Sequence, residues 1–300
     1  MWKKASVWLL VLILAMSIFA VGCGSGGNNG NGDAGEDQEP VSDDTSLSDI
    51  QAKGKLIIGC DDAFPPMGFQ DEATGEIVGF DIDLAKAVAE ALGVELEIKP
   101  INWDTKELEL KNKNIDVIWN GYTINASRNK QVEFTKPYLN NAQAIVVPIG
   151  SDIQTKADLA GKIIGAQVES SGLAALTKDQ EIVDAAAEIK EYDTYQEALL
   201  DLTTSRLDAV VVDTILIEYS ISQAPNTYRV LEENMGEEYY GIGCPKGAEA
   251  LRIAIDEALD ALMEDGTVDE ICNKWFGENI VIRDIDKLTQ EEIEAQFGTE

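Results

Sequence analysis

An arginine and an aspartate have the chemistry to bind the two charged groups of a small zwitterion. Arg128 is one of only five arginines, and a planar guanidinium can hold both oxygens of a carboxylate at once. Asp213 directly follows the apolar run Ala209–Val212, so its carboxylate lies at a strand end, where an α/β sheet faces its ligand crevice. Each residue has a plainer alternative: Arg128 as a solvated helix charge, and Asp213 as the cap of the next helix.

A third set of residues is suited to a flat or cationic side chain. Asp61 follows the apolar strand Leu56–Cys60, and the aromatic residues Phe64 and Trp103 accompany it. Aromatic faces attract cations, and the Asp61 carboxylate accepts hydrogen bonds. A single aromatic residue more often belongs to a core, but two beside an acid at a strand end favour a pocket. The ligand side chain is therefore expected to be an amide or a base, because Asp61 and Asp62 would repel an acid.

The overall charge excludes several classes of partner. The chain has 55 acidic and 23 basic side chains, no histidine and a formal net charge of −32. A protein that neutralises nucleic-acid phosphates needs the opposite balance, as does one that docks on anionic lipid through charge. The missing histidine removes the commonest general base and the commonest zinc ligand. We therefore predict no nucleic-acid partner, no catalytic residue, no metal and no other cofactor.

The first residues predict export. Lys3 and Lys4 precede the uncharged, mostly apolar run Ala5–Gly22, which is the layout of a secretory signal peptide. Its end, Phe19–Cys23, resembles a bacterial lipobox, in which the cysteine is lipidated and becomes the first residue of the mature chain. The alternative is a signal anchor in which this cysteine is incidental.

A flexible tether is expected to follow the lipid. Residues 23–49 are rich in Gly, Asn and Asp and have almost no apolar side chains, so they cannot bury enough surface to fold. With a signal peptide at 1–22 and a lipid such as palmitate on Cys23, the sequence predicts an extracytoplasmic protein. Its contact with the cell membrane would be the lipid anchor alone.

The remaining residues alternate between strand and helix patterns. This alternation predicts parallel sheets covered by helices, in two α/β lobes. The first helix is expected to have Asp81 as its N-cap and to end at Gly93. Thr289–Glu292 resembles a capping box that opens a last short helix. The expected strands are 56–60, 94–99, 115–119, 144–147, 163–167 and 208–212.

Several motifs, in order, resemble the extracellular solute-binding proteins of polar amino-acid ABC transporters. They are Gly59–Phe69, Val78–Ala85, Asn120–Asn125 with Arg128, Val132–Phe134 through Pro137–Tyr138, Leu207–Asp213, and Asp265–Thr267 through Lys274–Gly277. The resemblance covers roughly residues 53–277, which is far more specific than any single motif. It implies a type II periplasmic-binding-protein-like fold, in which two hinge strands join two lobes that close on a ligand. It also implies delivery of a polar amino acid to an ABC permease.

The resemblance implies a division of the chain as well. The first lobe is expected to comprise residues 50–138 plus 242–300, and the second lobe residues 139–241. The crossings between them are expected near 138–142 and 237–241. A monomer is expected.

The resemblance also implies roles for individual residues. Arg128 would bind the ligand carboxylate, helped by the Thr123 N–H and the helix opening at Ser170 and Ser171, although Ser170 alone is typical of an N-cap. Asp213 would bind the ammonium together with the Gly121 carbonyl and the Thr123 hydroxyl. The side-chain pocket would be formed by Phe64, Trp103, Asp61 and Gln167. Asn120 departs from the family pattern and would bring a polar amide to the floor of this pocket.

A few residues depart from the family pattern. Glu169 stands where glycine is common, and Cys60 and Cys244 stand where neutral or apolar residues are usual. With Cys272 they leave open either one disulfide and a free thiol or three buried thiols. Two other functions remain alternatives: a cleft enzyme of the prephenate or arogenate dehydratase type, for which Glu169 is the spare acid, and a ligand-sensing module.

Overall fold

The computed structural model describes residues 44–298. The predicted signal peptide, Cys23 and most of the predicted tether lie outside the described residues. The helices are α1 Ser46–Lys53, α2 Phe80–Ala91, α3 Lys106–Lys111, α4 Ala126–Gln131, α5 Ser171–Lys178, α6 Gln180–Ala185, α7 Tyr195–Thr203, α8 Thr214–Gln223, α9 Glu249–Glu264, α10 Thr267–Trp275 and α11 Gln290–Phe297. The strands are β1 Lys55–Cys60, β2 Ala63–Phe64, β3 Gly68–Gln70, β4 Ile77–Val78, β5 Glu95–Pro100, β6 Val117–Ile118, β7 Val132–Phe134, β8 Leu139–Pro148, β9 Ile163–Gln167, β10 Glu188–Tyr192, β11 Ala209–Asp213, β12 Tyr228–Tyr240 and β13 Gly243–Pro245.

Two five-stranded sheets form the centres of two lobes. The first lobe is built on the order β5-β1-β6-β13-β7 and the second on β10-β9-β11-β8-β12. In each sheet three neighbouring strands are parallel, the fourth (β13 or β8) runs antiparallel to them, and the fifth (β7 or β12) pairs antiparallel with the fourth. A small sheet of β2, β3 and β4 extends the first lobe. The structure thus has the predicted α/β layers in two lobes.

Two long strands connect the lobes. β8 and β12 pair antiparallel from Leu139↔Tyr240 through Glu237↔Ala142 and on to Tyr228↔Pro148. The register shifts twice between Val230 and Glu237, so the ladder is irregular where it enters the second lobe. Side chains alternate across a strand, so residues two apart on β8 or β12 point to one face.

The predicted tether, residues 23–49, extends too far towards the C-terminus. Its last four residues belong to α1. Asp44 accepts a hydrogen bond from the Ala250 N–H (2.6 Å), and the Ser46 hydroxyl accepts one from the Leu251 N–H (3.0 Å). These two contacts satisfy amides in the first turn of α9, and Ile50 on α1 is buried. The chain is therefore fixed to the first lobe from residue 44 onward.

Asp81 is not the N-cap of α2 as predicted. The helix begins at Phe80, after Gly79 with a φ of 152°. A Cβ at Gly79 would lie 2.2 Å from a backbone carbonyl, so only glycine fits. Asp81 lies inside the helix, fully buried, and accepts hydrogen bonds from the Gly121 N–H (2.8 Å) and the Tyr138 hydroxyl (2.9 Å). The predicted end of α2 at Gly93 is confirmed by its left-handed φ of 74°.

A buried ion cluster joins α9 to the rest of the first lobe. Asp256 on α9 accepts hydrogen bonds from Arg252 Nη1 (2.6 Å), Arg283 Nη2 (3.1 Å) and the Lys136 N–H (3.0 Å). Only 3% of Asp256 is exposed, so its charge depends on these donors for compensation. The cluster ties together segments that are far apart in the sequence.

The predicted last helix is confirmed. Thr289 and Glu292 form a capping box at the start of α11. Within residues 44–298, every helix is too short or too polar to cross a bilayer.

Candidate functional site

The strand order brings the predicted site residues together between the lobes. In the first lobe, Asp61 follows β1 and Asn120 and Gly121 follow the neighbouring β6. In the second, Gln167 ends β9 and Asp213 ends the adjacent β11. β11 is buried at all five positions, as expected for a central, Val-rich strand. Adjacent parallel strands end at the same sheet edge, so both sets face the crevice.

Arg128 is buried at the boundary between the lobes. The Asn125 side chain caps α4 by accepting from the Arg128 N–H (2.8 Å), which fixes the backbone of this residue. The guanidinium donates to the Thr123 carbonyl (3.1 Å) and, across the cleft, to the Glu169 carbonyl (3.0 Å). It lies 4.7 Å from the Tyr122 ring centroid, which adds a cation–π contact. Its alternative as a solvated surface charge is excluded, since only 6% of the residue is exposed.

Lys106 is a second buried cation, which the sequence analysis missed. It occupies the buried face of α3, four residues before the buried Leu110. Its Nζ donates to the Trp103 carbonyl (3.0 Å) and to the Glu169 carbonyl (3.2 Å), and Glu107 Oε2 lies 3.4 Å away. Burial, and then the charge of Arg128, lower the pKa of Lys106 to about 8.

Glu169 supplies the carbonyl that both cations share. It departs from the family pattern, and its φ of 53° lies in the left-handed region that side-chain-bearing residues rarely adopt. Its carbonyl accepts from Arg128 and Lys106, so the backbone of the second lobe is bonded twice by the first. These two contacts favour the closed arrangement of the lobes.

Asp213 lies in a polar cluster rather than capping α8. It occupies the N-cap position, but its side chain makes no capping hydrogen bond. Instead its Oδ1 accepts from the Tyr240 hydroxyl (2.5 Å), Asn141 Nδ2 (2.8 Å) and Gln143 Nε2 (3.0 Å). Burial raises the pKa of Asp213, and the hydrogen bonds from Tyr240 and Gln143 oppose that rise.

Glu238 is a second buried acid in the same cluster. Its Oε1 accepts from the same two amides, Asn141 Nδ2 (2.6 Å) and Gln143 Nε2 (2.8 Å). Across the cleft it also accepts from the Thr123 hydroxyl (3.1 Å). Burial, and then the neighbouring Asp213 carboxylate, raise the pKa of Glu238 to about 8.

Asp61 and Gln167 meet across the cleft, as their predicted opposition requires. Gln167 Nε2 donates to Asp61 Oδ2 (2.6 Å) and to the Asp193 carbonyl (3.0 Å). Burial raises the pKa of Asp61 to about 6, although the bonds from Gln167 and the Ala63 N–H lower it. Asn120 Oδ1 accepts from the Asp61 N–H (3.3 Å), and Asn120 Nδ2 is buried without a partner within residues 44–298.

The two predicted aromatic walls are both buried and each packs on a tyrosine. The Phe64 and Tyr195 ring centroids are 6.0 Å apart, and Trp103 packs edge-on against Tyr122 at 5.9 Å. Gly121, with a φ of 56°, lies against Phe64 and Tyr240: a Cβ there would be 2.9 Å from the Phe64 ring and 3.2 Å from the Tyr240 ring. Gly121 is therefore required for the close packing of this wall.

The two serines are placed differently. The Ser170 hydroxyl accepts from the Leu173 N–H (3.0 Å) and donates to the Gln167 carbonyl (2.7 Å), so it acts as the N-cap of α5. The Ser171 hydroxyl lies 2.9 Å from the Thr123 hydroxyl, across the cleft. Ser171 and Thr123 thus form a polar contact between the lobes.

Sequence reasoning missed Lys106, Glu238, Asn141, Gln143 and Tyr240. One signal was present for four of them. Asn141 and Gln143 are two apart on β8, and Glu238 and Tyr240 are two apart on β12. Each pair therefore presents polar groups on one face of a strand that the sequence placed at a lobe crossing.

The remaining reactive groups are buried thiols. Cys60, Cys244 and Cys272 are all buried and unbonded to one another, so the three-thiol alternative describes the structure. Burial raises the pKa of each thiol. Within residues 44–298, no group of three or more Cys, Asp or Glu side chains is arranged to hold a metal ion.

Known proteins are similar to this chain in both sequence and fold. The family model of the bacterial extracellular solute-binding proteins, family 3, matches residues 56–278. The L-cystine-binding protein TcyJ of Escherichia coli (strain K12) is 30% identical over 249 residues, covering 82% of this chain and 92% of that protein. The ABC transporter arginine-binding protein 1 of the same strain is 34% identical over 232 residues, covering 75% and 92%.

A solved structure gives the same result. The crystal structure of an ABC uptake transporter substrate-binding protein from Streptococcus pneumoniae with bound histidine has a TM-score of 0.77 and 38% sequence identity. It covers 81% of this chain and 100% of that chain. These similarities confirm the predicted fold class, and the matched family is one of solute-binding proteins rather than enzymes.

Proposed function

This chain belongs to the bacterial extracellular solute-binding proteins, family 3, and from that premise we propose that it captures a polar amino acid between its lobes for an ABC permease. One observation carries the proposal. A buried guanidinium of the first lobe and a buried carboxylate of the second are linked by way of the inter-lobe contact between Thr123 and Ser171. Arg128 donates to Thr123, and Gln143 bridges Ser171 to Asp213. The site thus holds opposite charges close together, as an amino acid requires.

The groups of the ligand would be divided among three parts of the site. Arg128, the Thr123 N–H and the start of α5 would hold the carboxylate. Asp213, the Gly121 carbonyl and the Thr123 hydroxyl would hold the ammonium. The side-chain end would be formed by Asp61, Phe64, Trp103, Asn120 and Gln167.

An amide or basic ligand side chain is proposed. The acceptor at this end is the Asp61 carboxylate, which would repel an acidic side chain and attract a donor or cation. Its present partner is a neutral amide, Gln167 Nε2 at 2.6 Å. The relatives described above are named for cystine and arginine, and the solved structure holds histidine.

Closure would follow from contacts with both lobes. A ligand shifts an equilibrium only by its difference in affinity for the two states. A ligand bound by Arg128 from one lobe and Asp213 from the other would make the full set of contacts only in the closed state. The open state would offer one half of the set.

Calorimetric titration with the twenty amino acids and cystine tests the proposal. At least one polar amino acid is expected to bind with a Kd well below about 1 mM, since that value corresponds to only about −4.1 kcal/mol. Glutamate and aspartate are expected to bind more weakly than the best ligand. Failure of all twenty-one to bind below millimolar would contradict amino-acid capture.

The proposal includes a lipid anchor and a division of the chain. Residues 1–22 would be removed as a signal peptide, and a lipid on Cys23 would hold a monomer at the outer face of the cell membrane. Lobe 1 would be residues 50–138 plus 242–300 and lobe 2 residues 139–241. Cys23→Ala is expected to move the protein from the membrane fraction to the soluble or secreted fraction. An unchanged membrane fraction, or absence of a lipid on Cys23 by mass spectrometry, would contradict the anchor.

A further inference from the structure

Two buried acids of the second lobe lie together without a cation of the protein. Asp213 is 3% exposed and Glu238 is 8% exposed. Within residues 44–298, neither has a Lys or Arg nitrogen within 4.0 Å. Their donors are neutral, and the Asn141 and Gln143 amides each donate to both acids. Two buried negative charges need a cation or a proton between them.

Two further polar groups beside the acids lack partners. Gln143 Oε1 and the Tyr195 hydroxyl are buried and make no hydrogen bond within the described part of the chain. Each residue is 1% exposed. Both atoms face Gly172, where a Cβ would lie 2.6 Å from Gln143 Oε1 and 2.8 Å from the Tyr195 oxygen. Unsatisfied buried groups next to unpaired acids indicate a place for a donor from outside the protein.

The other charged groups around Glu238 do not neutralise it. From the first lobe, Arg128 lowers the pKa of Glu238, but its two Nη atoms are bonded to backbone carbonyls. From the second lobe, Tyr195 and Tyr240 face the pair as neutral phenols, since burial raises the pKa of both. Glu238 lines a cavity of about 410 Å³, and the other charged residues that line it are Lys156, Lys178, Asp179 and Glu237.

We propose that Glu238 is the second carboxylate of the ammonium site, which in the ligand-free protein holds a proton between Glu238 and Asp213 and releases it when the ligand ammonium enters. This proposal rests on the proposed function and adds a specificity-determining residue to it. The ligand class it selects is a primary ammonium, because three N–H donors can serve Asp213, Glu238 and one further acceptor. An amino acid with a methylated nitrogen would leave one of these acceptors without a donor.

The exchange balances in protons and charge. Before binding, the two acids share one proton and carry one negative charge. On binding, that proton passes to the solvent, the acids carry two negative charges, and the ligand brings one positive charge with its own three N–H bonds intact. The net charge of the site is unchanged, and one proton appears in the buffer.

Proton release makes affinity rise with pH. For each proton released, the association constant rises about tenfold per pH unit below the pKa of the pair. The useful range is about pH 5 to 7, where the ligand ammonium remains protonated. Asp61, whose pKa is raised to about 6, titrates in the same range at the side-chain end of the site. The effect of Glu238 is therefore taken from the difference between wild type and a Glu238 variant.

Calorimetry of the best-binding amino acid in buffers of different ionisation enthalpy tests the proposal. Wild type is expected to release about one proton per ligand at pH 6 to 7. Glu238→Gln keeps the hydrogen-bonding shape but cannot release a proton. The variant is expected to release no proton from the ammonium end of the site. Its Kd is expected to exceed that of wild type, and the ratio of the two Kd values is expected to increase about tenfold per pH unit.

A matched control lies next to it on β12. Glu237→Gln removes an exposed carboxylate that hydrogen-bonds to neither amide, so its proton release and affinity are expected to equal those of wild type. Wild-type binding without proton release, or equal proton release by Glu238→Gln, would overturn the inference while leaving amino-acid capture intact. The number of protons that wild type releases per ligand is measured without any variant. That measurement tests the inference even if the Glu238→Gln protein fails to fold. Absence of binding by any amino acid would overturn the proposed function, and the inference with it.

Discussion

Replacing Arg128 with alanine is expected to weaken amino-acid binding by about 2–5 kcal/mol, or roughly 30-fold to several thousandfold in Kd, because the ligand carboxylate loses its buried cation. The guanidinium is already oriented by the Thr123 and Glu169 carbonyls and by the Tyr122 ring. Little rotamer freedom is therefore lost when it binds a ligand. Titration with the best-binding amino acid measures the change.

Arg206→Ala provides the control for this experiment. The Arg206 side chain is 67% exposed and pairs with Asp201 at the surface of the second lobe. Its removal is expected to leave Kd unchanged, since exposed ion pairs contribute little. Arg128→Lys is expected to be intermediate, because a lysine keeps the charge but not the planar fork. A Kd for Arg128→Ala within threefold of wild type would refute the assignment of the carboxylate.

Asp256→Ala is expected to lower the free energy of unfolding by about 3–5 kcal/mol, because it removes the acceptor shared by two buried arginines. Arg252 would keep only Glu249, and Arg283 would keep Asp260 and the backbone carbonyl of residue 256. With about 2–4 °C of Tm per kcal/mol for a chain of this size, thermal unfolding is expected roughly 6–20 °C lower. Thermal unfolding followed by circular dichroism measures this shift in Tm.

Glu257→Ala is the matched control for Asp256. It lies one residue further along α9, is exposed, and makes no ion pair within residues 44–298. Its free energy of unfolding is expected to change by at most about 0.5 kcal/mol. If both variants unfold at the same temperature, the cluster around Asp256 does not stabilise the first lobe.

Residues at strand ends were predictable from the sequence, because a buried strand is recognisable by its run of apolar residues. The apolar runs before Asp61 and Asp213 predicted that both carboxylates face the crevice, and both are buried there. The end of α2 was also predictable from the local sequence, because a glycine in the left-handed conformation ends a helix without help from tertiary contacts. The start of α2 was not predictable in this way, because the buried position of Asp81 depends on Gly121 and Tyr138, which lie in other segments.

The residues that sequence reasoning missed depend on contacts between distant parts of the chain. A lysine in a short helix is typical of an exposed position, but the Lys106 Nζ is enclosed by the Trp103 carbonyl and, from the other lobe, by the Glu169 carbonyl. Glu238 lies in an acidic stretch, and only the pairing of β12 with β8 brings it to Asn141 and Gln143. The polar residues two apart on each strand indicate a polar face, but they do not show which side chains of the two distant strands meet.

The attachment of residue 44 to α9 determines where a force on the preceding segment would act. Asp44 and Ser46 bind the first turn of α9, and α1 packs on the first lobe. A pull on the preceding segment would therefore be transmitted first to α9 of the first lobe, and not directly to β8, β12 or the second lobe.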